Sequence, residues 1–202
     1  MSKKLLLLTF IVGLLWVMTC DFPTYQEITD PAKVRVWFTY SLGENSTFQN
    51  IVEETDSLKI RCTNFRLYND TLYTQFYQNE DMFRQNRDSV KSINILSTSS
   101  DTIKIAEGLV PPYDYTRLEF QITPEDTIFV IGGKTYPLNY QDEKAETMVR
   151  INQVLSHESR KTTDIYLTYY ADKGIRRIGD KFYFSTVGDD SAAIGNINIR
   201  QN

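Results

Sequence analysis

Apolar and polar residues alternate along most of this chain with a period of two, the repeat of a strand that buries one face. Val34, Val36, Phe38 and Tyr40 alternate with Arg35, Trp37 and Thr39, and Leu58, Ile60 and Cys62 form a second apolar face. The phase then slips to Phe65 and Leu67, which predicts a β-bulge near Thr63-Asn64. Asn69-Asp70 predicts a turn, after which Leu72, Thr74 and Phe76 face away from Tyr73, Gln75 and Tyr77. A polar loop is expected over 78–88 and strands over 90–96 and 102–106. Pro111-Pro112 forces extended backbone, and Leu118, Phe120 and Ile122 then continue from Thr116 on one face. Gly132-Gly133 between two apolar runs predicts a hairpin, because a tight turn needs positive φ angles there. Residues 142–155 fit a helix face (Ala145, Met148, Ile151, Leu155) and a strand face (Thr147, Val149, Ile151) equally. Ile165, Leu167 and Tyr169, then Phe182 and Phe184, then 194–199 complete the strands. Many short strands without crossover helices imply an all-β fold, an antiparallel β-sandwich.

The first twenty residues break this pattern. Lys3 and Lys4 precede an unbroken apolar run of 14 residues, Leu5 to Met18. A helix needs about 20 residues to cross a bilayer core, so the run is too short for a permanent span and suits an export leader. The segment Val17-Met18-Thr19-Cys20 resembles the lipobox of bacterial lipoprotein signals, although Met18 and Thr19 stand where small residues are usual. That resemblance implies cleavage before Cys20 and lipidation of its thiol. An ordinary secretory cut nearby and an uncleaved signal-anchor are the alternatives; no Ala-x-Ala-like site is present for the first. The expected organisation is a signal peptide over 1–19, a membrane tether over 20–30 and one β-sandwich domain over 31–202. The expected location is the cell envelope, lipid-anchored to the outer membrane on its periplasmic or surface face. The membrane is then the first partner, engaged through the N-terminal lipid.

Charge and cysteine usage narrow the function. Loss of the leader removes two lysines and no acid, so the formal charge moves from −4 to −6. Such a chain is a poor ligand for nucleic acid. With Cys20 lipidated, Cys62 has no partner for an internal disulfide; its place beside Leu58 and Ile60 makes it a buried apolar filler. The 13 Tyr and 11 Phe suit strands.

The segment Leu109-Val110-Pro111-Pro112-Tyr113-Asp114-Tyr115-Thr116-Arg117-Leu118 resembles the "leucine-proline-x-glycine-x-tyrosine-x-x-isoleucine or leucine" opening of prealbumin-like sandwich domains. Gly133-Lys134-Thr135-Tyr136-Pro137-Leu138 follows it, then Lys161-Thr162-Thr163-Asp164-Ile165, Tyr170-Ala171-Asp172-Lys173 and Gly179-Asp180-Lys181-Phe182. In this order they resemble a family of bacterial cell-envelope lipoproteins catalogued only as a domain of unknown function. The similarity runs over 34–187. It implies a prealbumin- or immunoglobulin-like sandwich, a strand over 147–154, and no assigned catalytic residues. The glycine usual before the tyrosine is absent here.

Candidate chemistry is sparse. His157, the single histidine, sits in Ser156-His157-Glu158-Ser159, which reads as a solvated turn; a serine–histidine–acid triad requires a geometry that spacing alone does not supply. No His pair, Cys pair or calcium-loop motif supports a metal site, and Asp189-Asp190 reads as a loop. No cofactor is expected. The triplet Asp-Ser/Thr-apolar occurs six times and resembles an O-glycosylation acceptor of exported proteins, which makes Ser57, Thr71, Ser89, Thr102, Thr127 and Ser191 candidate sites. Turn chemistry explains much of the same excess, since Asp ends turns and Thr-aliphatic pairs begin strands. Tyr73 with Tyr77, and Tyr166 with Tyr170, share strand faces and read first as cross-strand packing and second as contacts for sugars or proteins. The expectation is a non-catalytic binding or structural protein with a protein or glycan partner. Its ligand would meet the loops over 43–47 and 78–88. A glycan-binding accessory of a surface uptake system is the alternative, and a hydrolase a more distant one.

Overall fold

The computed structural model describes residues 30–76, 92–97, 101–125, 128–140, 148–186 and 193–201. The leader, Cys20 and the tether up to residue 29 lie outside them, as do the loop over 78–88 and Tyr77.

Two sheets carry the fold. The first is built from β1 (Ala32–Ser41), β5 (Ile103–Val110), β11 (Thr162–Tyr170) and β14 (Ile194–Gln201), in the order β14-β11-β1-β5. The second orders β10 (Met148–Ser156), β6 (Asp114–Pro124), β2 (Lys59–Asn69) and β3 (Leu72–Phe76), with the two-residue β4 (Ile93–Asn94) also paired to β2. Alternation sets the inner faces. Ala32, Val34, Val36, Phe38 and Tyr40 are buried along β1, with every intervening residue partly exposed. Phe65, Leu67, Leu118, Phe120, Val149 and Ile151 fill the facing side. Phe65 stacks on Phe120 at 5.2 Å, and Phe38 lies 6.0 Å from Tyr169. All belong to one continuous core, as a two-layer sandwich requires.

The predicted bulge is present. Pairing of β2 with β6 shifts register between Thr63 and Arg66, and Asn64 takes a φ of 57° to absorb the extra residue. The hairpin of β7 (Ile128–Ile131) and β8 (Lys134–Pro137) turns through Gly132 and Gly133 at φ 59° and 65°. The 148–156 segment is a strand, because its pairing with β6 buries Val149, Ile151 and Leu155. Cys62 is buried, and burial pushes its thiol pKa up.

Three features depart from the sequence reading. β1 and β11 pair in parallel at the centre of the first sheet, from Lys33↔Thr162 to Ser41↔Tyr170. The long connection between them, which builds the whole second sheet, leaves the chain free to return in the same direction. The 43–47 loop runs into a short helix, α1 (Ser46–Ile51), capped by the Asn45 side chain accepting from Phe48 N at 3.1 Å. A turn of helix, α2 (Ala171–Gly174), leads into β12 (Ile175–Ile178). This strand pairs with β13 (Lys181–Phe184), and β13 also pairs in parallel with β9 (Asn139–Tyr140).

Candidate functional site

A half-open cleft of about 420 Å³ lies between α1 and the β12–β13 hairpin. Its apolar walls are Phe48 and Ile51 from α1 and Ile175, Ile178 and Phe182 from the hairpin. Asn45, Thr47, Asp172, Arg176 and Arg177 complete the lining. Concave sites of this size with a few polar groups on an apolar wall are where small ligands bind.

Local hydrogen bonds explain why α1 stands where it does. Asp172 Oδ2 accepts from Asn45 N at 2.9 Å, and Leu42 O accepts from Asp172 N at 3.2 Å. Gln49 Nε2 donates to Gly43 O. Gly43 has a φ of 91°, and a Cβ there would meet Asp172 Oδ1 at 1.8 Å, so only glycine fits against that carboxylate. Asp172 Oδ1 is buried with no hydrogen-bond partner among the described residues. On the hairpin side Arg177 donates to Gly179 O at 3.1 Å and lies 5.8 Å from the Phe182 ring centre. Arg176 is exposed with no ion-pair partner among the described residues. The cleft therefore offers an apolar floor, two cations and one carboxylate, a set suited to holding an amphipathic molecule.

His157 departs from the expected solvated turn: it is only 3 % exposed. Its backbone N–H donates to Tyr113 O at 3.1 Å, which draws the segment against Tyr115, and the two rings lie 5.4 Å apart. Tyr115 itself donates its hydroxyl to Pro111 O at 2.9 Å, a tyrosine corner at the start of β6. Neither imidazole nitrogen has a hydrogen-bond partner among the described residues. Burial, only partly opposed by Asp114, lowers the His157 pKa to about 4. Among the described residues no serine or acid hydrogen-bonds this ring, so they assemble no triad around it.

Three of the triplet hydroxyls fall in described residues. Thr71 is exposed in the β2–β3 turn beside Asp70, whose φ is 52°. Thr102 is exposed, with its Oγ1 3.0 Å from Thr39 Oγ1. Ser57 is partly buried and bridges to Val130. Its neighbour Asp56 is 1 % exposed and accepts from Glu53 N at 2.8 Å, Gly132 N at 2.6 Å and Gly133 N at 3.0 Å. Asp56 thus pins the β7–β8 turn onto the loop before β2, a structural use of the Asp in its triplet. Ser89, Thr127 and Ser191 lie outside the described residues, as do Asp189 and Asp190. Among the described residues no group of three or more His, Cys, Asp or Glu side chains could hold a metal ion, and no helix is long and apolar enough to cross a membrane.

The tyrosine faces resolve into cross-strand pairs. Tyr166 stacks on Trp37 across β11 and β1 at 6.2 Å, and Tyr73 lies 5.3 Å from Tyr68 across β3 and β2. Each ring turns toward its neighbour, the packing use of strand aromatics. Of the two loops singled out in the sequence, 43–47 supplies Asn45 and Thr47 to the cleft. Arg176, Arg177 and Ile178 were missed, because a four-residue strand of two arginines between two isoleucines carries no motif and no alternation. No protein-family model and no curated protein matches the chain, so the resemblance to envelope lipoproteins rests on the motifs alone.

Proposed function

We propose that this chain is an exported protein of the bacterial envelope, lipidated on Cys20, that binds a ligand rather than catalysing a reaction. The anchor reading is supported by the short leader and the cysteine at its end. The binding reading is carried by one observation: the cleft between α1 and the β12–β13 hairpin combines apolar walls with Arg176 and Arg177. A non-catalytic role fits the single histidine, which is buried and has no hydrogen-bonded serine or acid among the described residues. The best ligand is a small amphipathic molecule, its apolar body against Phe48 and Phe182 and its anionic group at the arginines. Glycan recognition is the second reading, favoured by the half-exposed ring of Tyr73.

Two measurements test this. Cys20→Ser in the native host should leave the protein unlipidated and released from membranes; normal maturation and unchanged membrane retention refute the anchor. Small molecules released on denaturing the purified full-length protein should be identified by mass spectrometry beside an Arg176→Glu/Ile178→Asp variant. A molecule recovered from the first and lost from the second is expected. The same molecules in equal amounts from both, or none from either, refute the cleft as the site.

A further inference from the structure

On the outer face of the second sheet, arginines outnumber acids among the described residues of two adjoining cross-strand rows. Strand register lays out two rows. Tyr73, Tyr68 and Arg117 line up across β3, β2 and β6, and Arg66, Glu119 and Arg150 across β2, β6 and β10. Glu119 is the one acid among these six residues and is 6 % exposed. It accepts from Arg150 Nε at 3.1 Å. Arg117 Nε is also 3.1 Å away, close enough to pair but misaligned for a hydrogen bond. Arg66 Nε and Arg117 Nε are both buried without an acceptor among the described residues. Three guanidiniums therefore face one carboxylate, in a chain whose formal charge is −4.

The arginines are also pre-set in orientation. Arg117 lies 4.1 Å from the Tyr68 ring centre and Arg66 lies 4.9 Å from that of Tyr73. A guanidinium held over an aromatic ring has fewer orientations to lose when it pairs with an oxyanion. Tyr73 is itself 51 % exposed.

We infer that this sheet face binds an acidic polysaccharide, by stacking a pyranose on the Tyr73–Tyr68 pair and pairing its carboxylates with Arg66, Arg117 and Arg150. An acidic sugar presents both features that the face offers, an apolar C–H surface and a planar carboxylate. A phospholipid surface fits less well. Membrane-surface sites use clustered, extended basic side chains, whereas these arginines are packed over tyrosine rings. This inference is independent of the cleft, which lies against α1 and the β12–β13 hairpin.

The test uses the full-length protein held in phosphatidylcholine nanodiscs, titrated with polygalacturonate oligomers, with the same oligomers methyl-esterified, and with phosphatidylglycerol vesicles. Saturable binding to the free acid is expected, weakened at least about tenfold by esterification, by Arg117→Gln and by Tyr73→Ala. Arg150→Gln, at the most exposed of the three arginines, should weaken it less and guards against misfolding of the Arg117 variant. Arg117→Lys should fail to restore affinity, since a lysine neither stacks nor pairs two oxygens. Lys104→Gln, on the opposite sheet, should leave it unchanged. Equal binding of free and esterified oligomers, indifference to both Arg117→Gln and Tyr73→Ala, or vesicle binding tighter than oligomer binding and lost on Arg117→Gln overturns the inference. Loss of binding on Arg176→Glu, with Arg117→Gln silent, assigns the acid to the cleft and overturns it as well.

Discussion

The outer faces of the two sheets are made from the same ingredients and close their hydrogen bonds differently. On the first sheet, Arg35 Nε and Nη2 grip the two Asp164 oxygens at 2.6 and 2.7 Å. Trp37 Nε1 donates to the same carboxylate at 2.8 Å, and Trp37 stacks on Tyr166. Asp164 pairs directly with Arg35, Arg200 across β14 adds its charge, and the indole N–H is satisfied. Burial works against the Asp164 charge, but the Arg35 and Trp37 hydrogen bonds outweigh it and hold the carboxyl below its usual range. On the second sheet, Glu119 is shared by arginines that outnumber it, and two guanidinium Nε atoms have no acceptor among the described residues. The first arrangement is a strut, complete in itself. The second has buried donors left over, which the acidic-ligand proposal sets out to explain.

The comparison breaks most sharply at the two acids. Asp164→Ala should cost about 3–5 kcal/mol, because it strands Arg35 and the Trp37 N–H at a nearly closed site. Glu119→Ala should cost clearly less, about 1–2 kcal/mol, since Arg117 and Arg150 reach water and need no replacement partner. Urea unfolding of the two variants beside wild type measures both. Equal losses would mean that the second face is as self-contained as the first.

Acid titration separates His157 from Asp164 by pH. His157, packed on Tyr115 where β6 begins, has a folded pKa of about 4, below the ordinary 6.5. As pH falls, the unfolded chain takes up this proton first, so stability drops from pH 6.5 down to about 4 and then levels. The total is up to about 3 kcal/mol. Asp164 acts lower: its depressed pKa supports the fold above the ordinary carboxylate range, and that support is lost only as pH falls further, through the folded value. His157→Phe should therefore flatten the upper part of the acid limb and leave the lower part. It should also raise neutral-pH stability by about 1 kcal/mol, because a buried imidazole without partners is replaced by an apolar ring. An unchanged slope between pH 6.5 and 4 would refute the buried neutral histidine.

The smallest effect sharpens the contrast from the other side. Arg117→Gln should shift stability by no more than about 0.5 kcal/mol in either direction, because it relieves repulsion among arginines as much as it removes an ion pair. Thermal unfolding decides: a large loss would make Arg117 a structural residue, and the surplus charge would no longer point outward.

Much of the sandwich was legible because burying one face of a strand imposes a period of two on the residues themselves. The β2 bulge, the Gly132-Gly133 turn and the buried Cys62 follow from that local rule and appear where they were expected. The expected leader is likewise read from linear sequence, by the length of an apolar run against the thickness of a bilayer. What the alternation cannot encode is which strands become neighbours. Val36 and Ile165 are 129 residues apart and pair in parallel only because the intervening chain completes the other sheet first. The same assembly brings Arg66, Arg117 and Arg150 around Glu119, tucks His157 beneath the surface, and sets α1 opposite Arg176 to form the cleft. The amino-acid order thus determined which faces turn inward, and tertiary pairing alone decided which charges meet, because Coulomb energy depends on distance through space rather than along the chain.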